Sequence, residues 1–167
     1  SLKNSSVKIK IPKVLFNKLK NKKVNQIYKK FEKSFNCDQN FVVAVSGGAD
    51  SLALCFLSKI YSLKKGLVSK FYLVDHKIRS ESTIEAEKVK KVLKRHSINI
   101  DILTWKGKKV LKNIQSIARK NRFNLLFANA NKHNINNILL GHHKDDLIEN
   151  FFIRILRGSG LKGLISL

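Results

Sequence analysis

Phe41-Val42-Val43-Ala44-Val45-Ser46-Gly47-Gly48-Ala49-Asp50-Ser51-Leu52-Ala53-Leu54-Cys55-Phe56-Leu57 reads as a buried strand, a turn on two glycines and the start of a helix. The glycines let the backbone approach a ligand closely and adopt positive φ. The first amides of the helix have no intrahelical partner, and the helix dipole adds partial positive charge there. That arrangement suits a phosphorylated ligand. Ser46 and Ser51 offer hydroxyls to the same anion, and Asp50 is placed to hold a cation that neutralises it. The spelling is neither the common phosphate loop G-x-x-x-x-G-K-S/T nor the dinucleotide G-x-G-x-x-G. A serine-capped tight turn would explain two glycines alone. It does not explain the strand before, the helix after and Asp-Ser inside.

The chain has 167 residues, enough for one domain with a real core and too few for two ordinary ones. No apolar stretch approaches the roughly 20 residues of a membrane span, and the lysine-rich residues 1–23 have no apolar centre of the secretory kind. Cys37 and Cys55 are the only cysteines and form no C-x-x-C, which fits a reduced cytoplasmic protein. The net charge of +23 suggests a polyanionic partner, nucleic acid first. Most of the basic residues are lysine, however, and lysine, asparagine and isoleucine rise together in AT-rich genomes. Charge alone does not establish RNA binding.

Val24, Ile27, Tyr28, Phe31 and Phe35 recur at helical spacing, so an amphipathic helix is expected there. Residues 1–23 are expected to form a basic arm, with Pro12 in it, and 24–167 the domain. After the glycine turn the helix should run to about residue 62. A second strand is predicted over 70–75, a helix over 83–95, a third strand over 99–105, a long helix over 113–132 and a fourth strand over 137–141. A further helix is expected from 144 to about 156, before Gly158-Ser159-Gly160. Strands alternating with helices call for a doubly wound parallel sheet, a three-layer α/β domain of Rossmann-like kind. Ligands bind such sheets at the carboxyl ends of the strands, near a topological switch point. Residues 46–51, 76–82 and 142–146 all follow strands and can share one site.

His142 and Asp146 are four apart and can share a helix face if that helix begins early. Two ligands without a third argue poorly for zinc; magnesium, bound through a carboxylate and phosphates, fits better. In the 76–82 segment, a helix cap by Ser82 with Glu85 three residues on would be a capping box. That explains Ser82 but leaves His76 and Arg79 unexplained. Arg119 and Arg122, three apart, place two cations on one helix.

These segments, taken together, resemble known enzymes. S-G-G-x-D-S resembles the pyrophosphate loop of ATP pyrophosphatases, which split ATP into AMP and diphosphate. Val74-Asp75-His76-Lys77-Ile78-Arg79-Ser80-Glu81-Ser82, Glu85-Ala86, Ala118-Arg119-Lys120-Asn121-Arg122-Phe123, Gly141-His142-His143-Lys144-Asp145-Asp146-Leu147-Ile148-Glu149 and Arg157-Gly158-Ser159-Gly160-Leu161-Lys162-Gly163-Leu164 resemble, in order, the tRNA(Ile)-lysidine synthase family. The match covers about residues 40–167, with Phe123 where tyrosine is frequent and Asn150 where threonine is. The resemblance implies an adenine nucleotide alpha hydrolase-like fold and a ligase that uses ATP and Mg²⁺. It would join free lysine to C2 of the wobble cytidine of a tRNA(Ile) with a CAU anticodon, through an adenylated cytidine. It implies Ser46, Gly47, Gly48, Ala49, Asp50 and Ser51 on the phosphates, with His76 and Arg79 beside the nucleotide. Asp50 would stand near Mg²⁺. Arg119 and Arg122 would stabilise phosphate or cytidine, and His142 and Asp146 would orient the base, the metal or the lysine amine. The C-terminal domains with which such enzymes hold tRNA are not expected in this chain. Two rivals share the loop: a tRNA thiolation enzyme, for which Cys37 and Cys55 supply no suitable pair, and a non-catalytic RNA-binding module.

Overall fold

A run of consecutive apolar residues packed on both faces suits the first strand to the interior of the sheet. The computed structural model describes residues 11–107 and 114–141. Its strands are β1 (Phe41–Val45), β2 (Ser69–Asp75), β3 (Asp101–Thr104) and β4 (Asn137–Leu140). All are parallel, in the order β3-β2-β1-β4. The helices are α1 (Lys13–Leu19), α2 (Lys22–Ser34), α3 (Ala49–Lys65), α4 (Ser82–Arg95) and α5 (Ile114–Asn131). The predicted parallel α/β sheet is therefore present, with element ends shifted by a few residues. The helix expected from 144 lies outside the described residues.

Successive side chains of a strand point to opposite faces, and the core divides accordingly. Phe41, Val43, Val45, Phe71 and Leu73 enter one cluster with Cys55, Ile60 and Tyr61 of α3 and Leu93 of α4. Val42 and Tyr72 enter the other with Leu126 and Ala130 of α5. The two apolar clusters cover the two faces of the sheet. Phe31 and Phe35 of the amphipathic α2 region stack at 5.1 Å and meet Tyr61 edge-on, fixing the first helices to α3.

The stretch expected to be a basic arm is partly folded. Residues 13–19 form α1, and Leu15 is fully buried in the larger cluster. One well-placed leucine and a half-buried Leu19 anchor this helix, and its lysines remain at the surface. Among the described residues no helix is long and apolar enough to cross a membrane.

Candidate active site

The chain runs from β1 out to β2 and β3 on one side, then returns to add β4 on the other side of β1. The switch point of the sheet is thus between β1 and β4, and the glycine turn lies at its carboxyl end. Gly47 has φ +86°, the left-handed region that favours glycine, and a Cβ there would stand 3.0 Å from Val89 Cγ2. Gly48 needs no such freedom. Its φ is −71°, and a Cβ would meet only Ser46 Oγ, at 3.7 Å. Positive φ, expected of the pair, belongs to Gly47 alone.

Gly48 is the N-cap of α3 and no side chain caps that helix, so its first amides face the turn. Ala49 and Asp50 are exposed in the first turn, where a carboxylate can meet a cation. Ser51 is buried and supports the loop from inside: its Oγ accepts a 2.8 Å hydrogen bond from the Ser46 amide. The Ser46 side chain is the exposed one.

Gly141, at the end of β4, closes the other wall. A Cβ there would lie 3.0 Å from the Ser51 Cα and 3.1 Å from its amide nitrogen. The two backbones touch because residue 141 has no side chain. Sequence reading placed Gly141 in a motif without giving it this task; the signal available was a glycine at a strand end in a sheet that had to reverse direction.

Arg122 joins the loop from α5. A small cavity is lined by Ser46, Arg122 and Gly141 together with Tyr72 and Val74. The Arg122 Nε is buried without a hydrogen-bond partner among the described residues, and burial, then the neighbouring Arg119, lowers its pKa. A buried guanidinium nitrogen with no partner among the described residues, beside a glycine loop, suits an anion. Arg119 is exposed and borders an adjoining cavity with His76 and Arg122.

The 76–82 loop supplies the third wall. Ser46, His76 and Arg79 line one cavity of about 280 Å³. His76 Nδ1 is buried without a partner among the described residues. Burial and then Arg122 lower the His76 pKa, against a smaller opposing pull from Asp75, so the ring is neutral at pH 7. Arg79 is held at 3.1 Å by Glu85. Asp75 fixes the loop: it is only 2% exposed and accepts from the Lys77 amide at 2.9 Å, Ser82 Oγ at 2.7 Å and Thr83 Oγ1 at 2.6 Å. Burial would raise its pKa, but these hydrogen bonds and the charge of Lys77 together leave it lowered. The expected capping box is accordingly absent. Ser82 turns to Asp75, Glu85 turns to Arg79, and residue 81 caps α4 without a side-chain bond. A buried carboxylate is the stronger acceptor. Lys77 is carried into the left-handed region, at φ 49°.

Of the candidate residues, Ser46, Gly47, Gly48, Ala49, Asp50, Ser51, His76, Arg79, Arg119 and Arg122 therefore lie around the carboxyl end of the sheet. His142 and Asp146 lie outside the described residues. Among the described residues no group of three His, Cys, Asp or Glu side chains could hold a metal. Asp50 with phosphate oxygens remains a donor set suited to Mg²⁺, and the uncapped helix, the glycine cradle and Arg122 suit the phosphates.

The chain is 44% identical over 134 residues to a tRNA(Ile)-lysidine synthase of Orientia tsutsugamushi, covering 80% of this chain and 30% of that protein. It is 41% identical over 118 residues to a tRNA(Ile)-lysidine synthase of Bartonella quintana, covering 70% of this chain and 25% of that protein. This chain thus spans about a third or less of the length of these relatives. The U34-tRNA thiolase NcsA of Methanococcus maripaludis, solved with its 4Fe-4S cluster, superposes with a TM-score of 0.72 at 18% identity, over 85% of this chain and 53% of that one. At that identity the likeness is one of fold. A family model described as a PP-loop domain matches residues 17–167, and the chain belongs to that family.

Proposed function

We propose that this chain carries the ATP-using centre of a tRNA(Ile)-lysidine synthase, a cytoplasmic ligase that joins free lysine to C2 of the wobble cytidine in a CAU anticodon. The observation that carries the reading is the meeting of Ser46, Arg122 and Gly141 in one cavity at the switch point, beside an uncapped helix N-terminus. The identity to lysidine synthases supports it.

The chemistry needs a good leaving group where the cytidine offers a carbonyl oxygen. ATP transfers its adenylyl group to that oxygen and diphosphate leaves; the lysine ε-amino group then adds to C2 and AMP departs. The amides of residues 49–51, the Gly47 cradle and Ser46 bind the phosphates, and Arg122 offsets charge that grows on them. Asp50 would hold Mg²⁺, which supplies further charge neutralisation when bound. Neutral His76 and the Arg79–Glu85 pair border the nucleotide, and Arg119 extends the cationic edge. His142 and Asp146 are assigned to orienting the base, the ion or the amine. A base in a single-stranded loop can be splayed into such a cleft at little cost.

Diphosphate release with ATP, tRNA(Ile) and lysine tests the reading. It should require all three, give AMP, and leave lysine on the tRNA. ADP as the product, or sulfur transfer in place of lysine, would overturn it. Sulfur chemistry on this chain's own thiols would fall to Cys37, because Cys55 is fully buried and its thiol is pushed up to about 12. If the lysines serve tRNA, affinity falls steeply with salt.

A further inference from the structure

We propose that the cavity beside Trp105 is a second nucleotide subsite, in which an RNA base next to the modified one stacks on the indole. It measures about 590 Å³, within the range of roughly 300–1,000 Å³ typical of small-ligand sites. Trp105, Ile114 and Ile117 give it an apolar wall, and Lys77 and Lys106 give it charge. Ile78 and Ile114 border it although both are among the exposed large hydrophobic residues, at 44% and 39%. Exposed apolar lips around a cavity mark a surface meant to be covered.

The lining selects the occupant. Among the described residues the cavity's lining holds no aspartate or glutamate to face the ammonium group of free lysine, and it holds the cations Lys77, Lys106 and Arg79. A flat apolar body with a negative charge fits instead, which is a nucleotide. Aromatic stacking with lysine contact to the backbone is how single-stranded RNA is held. The platform is fixed. The Trp105 amide donates to the Asp75 carbonyl at 3.0 Å, continuing the β2–β3 pairing, and a Cβ at Gly107 would collide with the indole.

ATP is the other possible source of a nucleotide. Its phosphate loop lines different cavities, those containing Ser46, and Ser46 does not line this one. His76, Ile78 and Arg79 stand between the two spaces and border both. An RNA strand with its target base at the loop would therefore lay a neighbour toward Trp105. This inference rests on the RNA-modifying reading above.

Trp105 is the only tryptophan of the chain, so its emission reports this cavity directly. The chain is titrated in Mg²⁺ with a single-stranded RNA heptamer bearing a central cytidine, with ATP, and with free lysine. RNA should quench the emission saturably, while ATP and lysine leave it nearly unchanged. Trp105→Ala should weaken binding of a labelled heptamer roughly 10- to 100-fold, and Trp105→Phe should restore most of it. The ATP dissociation constant should stay within about twofold of the parent, as expected of a side chain that only stacks the RNA base. Lys77→Ala or Lys106→Ala should each lower the salt slope by about one. Quenching by ATP without quenching by RNA would overturn the proposal, as would unchanged RNA binding in both Trp105 variants. Lysidine formation with a silent Trp105 would sink the subsite alone. Saturable RNA quenching without diphosphate release would sink the proposed reaction and leave the subsite standing.

Discussion

Replacing Asp75 by alanine should unfasten the loop between β2 and α4. In the parent, one carboxylate receives three hydrogen bonds, from the Lys77 amide, Ser82 Oγ and Thr83 Oγ1, at 2.6–2.9 Å. A hydrogen bond to a charged acceptor contributes about 1.5–3 kcal/mol when its donor cannot turn to water. Here Lys77 and Thr83 are exposed and Ser82 half-buried, so the orphaned donors rehydrate and the sum falls well short of three full bonds. A net loss of about 2–3 kcal/mol is expected, or roughly 5–10 °C in melting temperature for a chain of this size. Urea unfolding of parent and variant at pH 7 measures it. The pH dependence adds a second reading. The folded-state pKa of Asp75 is depressed, so its contribution is fully present above the ordinary carboxylate value of about 4 and is lost as pH falls through the lower folded value. The gap between parent and Asp75→Ala should therefore be constant from pH 7 to 5 and close in stronger acid. A variant within about 0.5 kcal/mol of the parent at pH 7, or a gap that widens in acid, would refute the reasoning.

The glycines of the turn should behave differently from each other. Gly47→Ala meets both φ +86° and Val89 Cγ2 at 3.0 Å and should cost about 1–3 kcal/mol and most ATP affinity, whereas Gly48→Ala, at φ −71° with 3.7 Å of clearance, should be nearly neutral in urea unfolding. Gly141→Ala should separate β4 from the start of α3, because the obstructing atoms are Ser51 backbone at 3.0 and 3.1 Å; calorimetry should show weakened ATP binding beyond any loss of stability. Thiol titration at pH 8 should find one reactive cysteine in the native chain and two in denaturant. Cys55 is fully buried with its thiol pushed up to about 12, and Cys37 is half-buried. Two native thiols reacting at the same rate would contradict that packing.

The sheet was legible from one inner strand: Phe41–Val45 is packed on both faces, which makes it apolar at every position and unlike any solvated strand. The glycine turn was legible for a local reason as well, since backbone amides at a helix start need no distant partner. What stayed hidden depended on residues brought from elsewhere. Ser82 and Glu85 have the spacing of a capping box, but Asp75 and Arg79 compete for them across the loop. Leu15 is one leucine among lysines, and only its place against the core shows that α1 belongs to the domain. Gly141 matters through Ser51, a contact between the two sides of the switch point.

The parallel pairing of β1 with β4 sets the order in which this centre can come into being. The glycine turn is made early in synthesis, yet the wall opposite it arrives only after β2, β3 and α5 have been laid down. Closing so long a loop is entropically costly and tends to come late in folding. Until β4 docks, the turn has its amides but lacks Gly141, and Arg122 has no cavity to share with Ser46. A nascent or partly unfolded chain is therefore a poor nucleotide binder, and the capacity to bind ATP becomes a record that β4 has found its place.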